Sequence, residues 1–202
     1  MSKDQCIAWN HGCKKGFDIL SGNSRVRVCD ESGYWHGAIP QCFDVEPPVI
    51  SNCKAVWYGY AERSETEGRI MWREPSVSDN FDKFVSPYLI SGPTPNEMLA
   101  AGSYDVIYGA KDSTGNKARS CKMKLVMRVI SCSSLYNTPF LKITCPQGYK
   151  YGARCNFTCD VGSYINGTLN SEMTTSCEKA TDVHYGEWDF GSIQPFCKNG
   201  DR

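Results

Sequence analysis

Cysteines supply the densest reactive chemistry in this chain. There are 12 of them in 202 residues, an even number and far above ordinary usage. Thiolates bind zinc, but a structural zinc site usually takes two close pairs, each separated by two to four residues. Only Cys155 and Cys159 are that close, and His11, His36 and His184 are scattered. We therefore predict disulfides, which form and persist in an oxidising compartment.

Residues for catalysis are not arranged in a familiar pattern. Every cysteine is expected to have a partner, so no thiol nucleophile remains. His36 lies beside Trp35 and His184 precedes Tyr185, and neither falls in a Ser-His-Asp or Cys-His arrangement. The sequence contains neither a Gly-x-Ser-x-Gly motif nor a phosphate-binding loop. We predict no catalytic residue and no enzymatic activity.

Two acidic segments carry oxygen atoms of the kind that bind calcium. They are Asp79-Asn80 and the run from Asp112 to Asn116. The same side chains cap turns by accepting hydrogen bonds from nearby backbone amides. Turn capping is the simpler interpretation, so the sequence predicts no metal ligand and no cofactor.

Charge and hydropathy narrow the class of partner. Lys plus Arg equals 22 and Asp plus Glu equals 22, with no basic stripe for the phosphates of a nucleic acid. No apolar run approaches the roughly 18 residues that cross a bilayer, so membrane insertion is not expected. The first residues contain no apolar segment of a signal peptide, which we expect to be absent from this chain. Partners are expected to be proteins, and the oligomeric state is open.

The segment from Ile70 to Cys121 and beyond has the strongest strand pattern. Tyr104, Val106 and Tyr108 alternate with Ser103, Asp105 and Gly109, and the segment 121–129 alternates again. Asp112 to Asn116 lies between them and contains Gly115, which suits a turn. The two segments predict a β-hairpin whose apolar face packs on another sheet.

An ordered series of motif positions runs through residues 44–130: Pro47, Pro48, Trp72, Pro75, Asp79, Asn80, Gly102, Tyr104, Val106, Tyr108, Ala110, Asp112, Gly115, Asn116 and Cys121. With this series, residues 44–130 resemble a HYR (hyalin repeat) module, and the resemblance implies an immunoglobulin-like β-sandwich. It also implies that Cys53 and Cys121, the only cysteines of this module, form a disulfide.

Residues 1–43 resemble a shortened sushi (complement control protein) module. Gly16-Phe17 follows one cysteine, Gly33-Tyr34-Trp35 follows the next, and Pro40 precedes the last. The part before Cys13 is nearly missing, which leaves the completeness of the module open. The family scheme implies the pairs Cys6–Cys29 and Cys13–Cys42.

Residues 131–198 resemble a six-cysteine sushi module, followed by a tail at 199–202. Gly162-Ser163-Tyr164, Gly186-Glu187-Trp188 and Pro195 stand at family positions. Spacing alone leaves many disulfide pairings open. The resemblance selects Cys132–Cys177, Cys159–Cys197 and an additional Cys145–Cys155.

The order sushi, HYR, sushi resembles the sushi-repeat-containing proteins of the X-linked type and part of polydom. It implies an all-β chain, with a central HYR sandwich between two disulfide-rich sushi modules. It also implies a secreted, non-enzymatic adhesion protein of the extracellular matrix or cell surface, with extracellular or cell-surface proteins as partners. Because sushi modules are also common in complement regulators, an immune-recognition protein is the alternative.

Two kinds of surface site are predicted. Asn156-Phe157-Thr158 and Asn166-Gly167-Thr168 are sequons for N-glycosylation in a secreted protein. Trp57, Tyr58 and Tyr60 are candidate partner-binding residues. Trp57 faces the opposite side of a strand from the two tyrosines, and both sides of that strand cannot easily be core, so one set is expected to be exposed to a partner. The alternative is that all three pack in the core.

Overall fold

The computed structural model describes residues 9–10, 12–21, 25–181 and 185–199, and every regular element there is a β-strand. The predicted all-β class is therefore confirmed. The same residues contain no helix of the length and apolarity needed to cross a membrane. The strands are β1 (Trp9–Asn10), β2 (Phe17–Ile19), β3 (Val26–Cys29), β4 (Trp35–His36), β5 (Cys42–Asp44), β6 (Val49–Ser51), β7 (Val56–Tyr60), β8 (Glu67–Arg69), β9 (Ser76–Ser78), β10 (Tyr88–Ser91), β11 (Met98–Ala100), β12 (Gly102–Gly109), β13 (Cys121–Arg128), β14 (Leu141–Thr144), β15 (Arg154–Cys159), β16 (Ser163–Ile165), β17 (Glu172–Lys179), β18 (Gly186–Trp188) and β19 (Cys197–Asn199).

Backbone contacts divide the chain into two compact units. The first comprises Met1–Ala55, Arg73–Gly92 and Val106–Met123. The second comprises Val56–Trp72, Pro93–Asp105 and Lys124–Arg202. Both units draw on residues from the central part of the sequence, so strands β12 and β13 contribute to each of them.

The first unit is built from short antiparallel pairings. Strand β2 pairs with β5, β6 with β9, and β10 with β12, where the register shifts between Leu89 and Ser91. Strand β3 lies between β1 and β4. The buried side chains of this unit include Val106, Tyr108 and Met123. Tyr108 is 1% exposed, and its hydroxyl donates a hydrogen bond to Glu74 Oε1 at 3.2 Å.

The second unit contains a cluster of buried residues. Strands β14, β15, β17 and β18 form a sheet in that order, and β16 pairs with β19. Phe157 and Trp188 lie in the core beside the cysteines of this segment, and Trp188 Nε1 donates to the Ser133 carbonyl at 2.9 Å. Tyr149 packs edge-on against Trp188, and Phe190 packs edge-on against Phe157 and stacks on Trp188.

The predicted hairpin is confirmed. Strands β12 and β13 are neighbours in a four-stranded sheet with the order β10, β12, β13, β7. Along β13 the burial alternates as the sequence predicts, with Cys121, Met123, Leu125 and Met127 buried. The turn between the strands closes when Asp112 N donates to the Asn116 carbonyl, and Gly115 has a φ of 102° that favours glycine.

Disulfides anchor both units. The described residues contain five, which join Cys13 to Cys42, Cys53 to Cys121, Cys132 to Cys177, Cys145 to Cys155 and Cys159 to Cys197. These are the pairs that the family resemblance implies. Cys29 is also disulfide-bonded, and Cys6, its predicted partner, lies outside the described residues. None of the described cysteines is a free thiol.

Candidate partner-binding surface

The candidate aromatic residues lie on β7, an edge strand of the four-stranded sheet. Strand β7 pairs with β13 in parallel, so that Tyr58 is opposite Val126 and Tyr60 is opposite Arg128. Because side chains alternate across a strand, Val56, Tyr58 and Tyr60 share one face with Lys124, Val126 and Arg128. The other face carries Trp57, Gly59, Leu125 and Met127.

Packing behind Gly59 determines which face is turned outward. Gly59 is buried, and a Cβ atom built on it would collide with the Ile70 side chain and lie 3.1 Å from Met127 Cε. The sheet is therefore pressed directly onto Ile70, which is 1% exposed. Tyr58, on the opposite face, is 55% exposed, whereas Trp57 and Tyr60 are half-buried. Of the three candidate residues, Tyr58 is thus the most exposed to a partner.

A cation covers each of the two tyrosine rings. The Arg128 guanidinium carbon lies 4.9 Å from the Tyr58 ring centroid, and the Lys179 ammonium lies 6.0 Å from that of Tyr60. A cation over an aromatic face is attracted by the negative potential of the ring. Arg128 reaches the ring diagonally, since its own cross-strand neighbour is Tyr60. The contact restricts the Tyr58 side chain before any partner arrives.

The chain after β7 is held in place by Arg63. Its guanidinium donates to both carboxylate oxygens of Glu178, at 2.7 and 2.8 Å, and lies 5.3 Å from the Tyr151 ring centroid. Ser64 N also donates to the Tyr151 carbonyl at 2.8 Å. The hydrogen bond to Glu178 raises the pKa of Arg63, and the bond from Arg63 lowers the pKa of Glu178. The segment that follows Tyr60 is therefore held by the charge-assisted hydrogen bonds between Arg63 and Glu178.

The asparagine of each sequon is exposed. Asn156 lies on β15, where its Oδ1 accepts a hydrogen bond from the Thr174 hydroxyl on the neighbouring strand at 3.0 Å. Asn166 follows β16 in a turn, and Gly167 in that turn has a φ of 83°. Their glycosylation stays a prediction.

Comparison with known proteins identifies the modules that carry this surface. The family model of the HYR domain matches residues 43–127, and that of the sushi repeat (SCR repeat) matches residues 10–42. This chain therefore contains a HYR domain and a sushi repeat. Strand β7 and most of β13 lie within the HYR match. The boundaries at 43/44 and 130/131, and a second sushi module at 131–198, stay predictions.

The relatives that sequence comparison finds include sushi repeat-containing proteins. The chain is 35% identical to SRPX2 of Xenopus laevis over 156 residues, which is 76% of this chain and 33% of the relative. It is 33% identical to SRPX2 of Homo sapiens over 160 residues, or 79% of this chain and 34% of the relative. SRPX of Mus musculus is 29% identical over 159 residues, or 77% and 33%. The chain thus spans about a third of the length of the curated relatives it matches.

These matches establish the coarse class. HYR and sushi modules are protein-interaction modules without enzymatic activity. The expected resemblance to both module families is confirmed.

Sequence reasoning missed the cations that complete the surface. The alternation of β13 places Arg128 on its outward face, but nothing local in the sequence pairs β13 with β7. That parallel pairing joins two strands that lie far apart in the sequence, and it is the pairing that brings Arg128 to Tyr58. The signal in the sequence was an Arg on an outward strand position, which usually indicates only solvent exposure.

Proposed function

We propose that this chain is a protein-binding and adhesion segment of a secreted protein of the extracellular matrix or cell surface. Its binding surface is the outward face of β7 and β13, here called the tyrosine face and defined by Tyr58, Tyr60, Lys124 and Arg128. The observation that carries the proposal is Tyr58, 55% exposed and covered on one side by the Arg128 guanidinium.

Tyrosine and arginine are the residue types that dominate binding energy at protein interfaces. An exposed tyrosine offers a large apolar ring together with a hydroxyl that stays hydrogen-bonded to water. Arg128 restricts the ring in the free protein, so less side-chain entropy is lost when a partner binds. Disulfide-bonded modules and two exposed sequons agree with an extracellular location.

Charge on the tyrosine face indicates the chemistry of the partner. Neither β7 nor β13 contains an acidic residue, whereas β13 presents Lys124 and Arg128 outward. Lys179 adds a third positive charge beside Tyr60. A partner that places carboxylates around an apolar contact for Tyr58 would complement this face, and rim charges of this kind mainly set the association rate.

The test is adhesion of cells to the immobilised, oxidised chain carrying Tyr58→Ala. We expect the variant to fold, because Tyr58 is exposed, and to weaken adhesion about 30-fold or more, as loss of a binding hot spot does. Tyr34→Ala is the matched control, since Tyr34 is 73% exposed and lies outside the tyrosine face. A folded Tyr58→Ala variant that adheres like the control would refute the assignment of the surface.

A further inference from the structure

Three aspartates from distant parts of the sequence converge in the first unit. Asp44 ends β5, Asp79 follows β9, and Asp112 opens the turn after β12. One carboxylate oxygen from each lies within 4.8 Å of the other two. Such a cluster is by itself common on protein surfaces, so its hydrogen bonding decides what it means.

One oxygen of each carboxylate is used for structure. Asp79 Oδ1 accepts from the backbone amides of Phe81 and Asp82, at 3.0 and 2.8 Å. Asp112 Oδ1 accepts from Asn116 N at 2.7 Å. These contacts are the turn capping that the sequence predicts. Asp44 Oδ1 accepts from Asn80 Nδ2 at 2.7 Å and from Glu46 N at 3.2 Å.

The second oxygen of each carboxylate has no such role. Oδ2 of Asp44, Asp79 and Asp112 is shielded from solvent and accepts no hydrogen bond within the described part of the chain. Asp44 is 1% exposed and Asp112 is 7% exposed. No Lys, Arg or His among the described residues forms an ion pair with any of the three. Buried carboxylate oxygens are ordinarily paired, since an unpaired buried charge is costly.

A hard cation held by the three side chains would give their unsatisfied oxygens a partner. Calcium binds carboxylate and carbonyl oxygens at about 2.3–2.6 Å, so its ligand oxygens lie up to roughly 5 Å apart. Zinc favours His and Cys, and neither is part of the cluster. We propose that Oδ2 of Asp44, Asp79 and Asp112 bind a calcium ion. Turn capping and metal binding then use different oxygens of the same side chains, which is why the sequence pattern alone favours capping.

The position of Asp44 places this site at the junction between the sushi match and the HYR match. Asp44 lies two residues after Cys42, at the junction of the sushi match (10–42) and the HYR match (43–127). The junction is closely packed, since Val45 N donates to the Gly16 carbonyl at 3.0 Å and the Phe17 ring packs edge-on against Phe81 at 5.6 Å. A calcium ion would tie β5 to the turns that carry Asp79 and Asp112. We infer that calcium stiffens this junction.

The test uses the full, oxidised chain, freed of metal with a chelator and titrated with CaCl2 by calorimetry. We expect one site with a Kd of about 0.1–1 mM, the range of extracellular calcium modules, and a thermal midpoint that rises with calcium. Asp79→Asn and Asp112→Asn keep the Oδ1 atom that caps each turn and remove the charge. Each should raise the Kd at least about tenfold, since ligand charge sets affinity.

The matched control is Asp30→Asn. Asp30 Oδ1 also accepts backbone hydrogen bonds, from Ser32 and Tyr34, at 2.9 and 3.1 Å, but Asp30 is not part of the cluster. This variant should bind calcium like the unaltered chain. In calcium-free buffer Asp79→Asn should raise the thermal midpoint, because it relieves repulsion between like charges.

Two results would overturn the proposal. One is the absence of both binding heat and a thermal shift up to about 10 mM CaCl2, far above the expected Kd. The other is calcium binding that Asp79→Asn and Asp112→Asn leave unchanged, which would place the ion elsewhere. If the Asp44→Asn variant fails to fold, the Asp79→Asn variant still tests the site, because Asp79 is only half-buried.

Discussion

Arg63 binds Glu178 through two parallel hydrogen bonds, Nη1 to Oε2 at 2.8 Å and Nη2 to Oε1 at 2.7 Å. Arg63 lies in the connection between β7 and β8, and Glu178 lies on β17. The two residues are 115 positions apart in the sequence, so the pair fixes the strand exit by a long-range contact. Planar, bidentate pairing of this kind depends on the shape of the guanidinium and is not reproduced by lysine.

Stability should depend on this pair in a particular pH window. The hydrogen bond from Arg63 lowers the Glu178 pKa from its ordinary value of 4.5. A lowered carboxyl pKa stabilises the folded chain above the ordinary pKa, and that contribution is lost as pH falls through the folded-state pKa. We expect the thermal midpoint difference between the unaltered chain and Glu178→Gln to be present at pH 7. It should disappear on acidification below pH 4.5. Because the pair is partly exposed, the difference should be small and decrease with salt. A difference that persists unchanged at pH 2 to 3 would argue that the Glu178 charge is not involved.

Gly152 should tolerate substitution less well than Gly148. Both have positive φ, at 84° and 69°. A Cβ atom on Gly152 would lie 2.6 Å from both Arg63 Cγ and Ser64 Oγ, whereas one on Gly148 would meet nothing within 4 Å. Gly148→Ala should therefore show only the backbone cost, about 1–2 kcal/mol. Gly152→Ala should cost more, because the Arg63 loop must move. Equal losses in urea unfolding of the two variants would mean that the loop yields freely.

Replacing Trp72 by alanine should lower the free energy of unfolding much more than replacing Trp35. Trp72 is 8% exposed, and Trp35 is 42% exposed on β4. Removing a buried aromatic side chain costs about 3–5 kcal/mol. Trp35→Ala loses mainly a contact with Arg27, 5.8 Å from its ring centroid, which is worth about 0.5–1 kcal/mol at an exposed site. Denaturant unfolding of both variants checks this, and a Trp72→Ala chain as stable as Trp35→Ala would contradict burial of Trp72.

Glycan occupancy should be higher at Asn166 than at Asn156. Asn166 lies in an exposed turn, whereas the Asn156 side chain accepts a hydrogen bond from Thr174 across two strands. An exposed turn is accessible to the modifying enzyme, whereas the Asn156 side chain is already engaged by Thr174. Mass spectrometry of chain secreted from cultured cells, with Asn166→Gln and Asn156→Gln as references, measures this. Full occupancy at Asn156 with none at Asn166 would reverse the expected order.

Local periodicity explains the part of the fold that the sequence predicts well. Strand β13 alternates between Cys121, Met123, Leu125 and Met127 on one side and Lys122, Lys124, Val126 and Arg128 on the other, and the first set is buried. A period of two requires only neighbouring residues, so no knowledge of the partner strand was needed. The turn at Asp112 to Asn116 is local for the same reason.

Long-range pairing explains what the sequence does not predict. Tyr58 meets Arg128 only because β7 pairs in parallel with β13, and a parallel pairing leaves no turn signal between the strands. Asp44 likewise stands 35 positions before Asp79, at the end of a strand, in a segment without a calcium-loop motif. Its nearly complete burial with one unsatisfied oxygen is a property of the folded chain.

A glycan placed on the tyrosine face tests the proposed binding surface most directly. Lys124→Asn together with Val126→Thr creates a sequon there without touching Leu125, which is 0% exposed. Lys83→Asn with Val85→Thr is the matched control. It creates a sequon at residues 83–85, whose middle residue Phe84 is exposed, and this segment is not part of β7 or β13. With attachment verified by mass and thermal midpoints matched, we predict that the first glycan abolishes cell adhesion and the second leaves it intact. Full adhesion by the chain with a glycan on the tyrosine face would contradict the proposed function of that face.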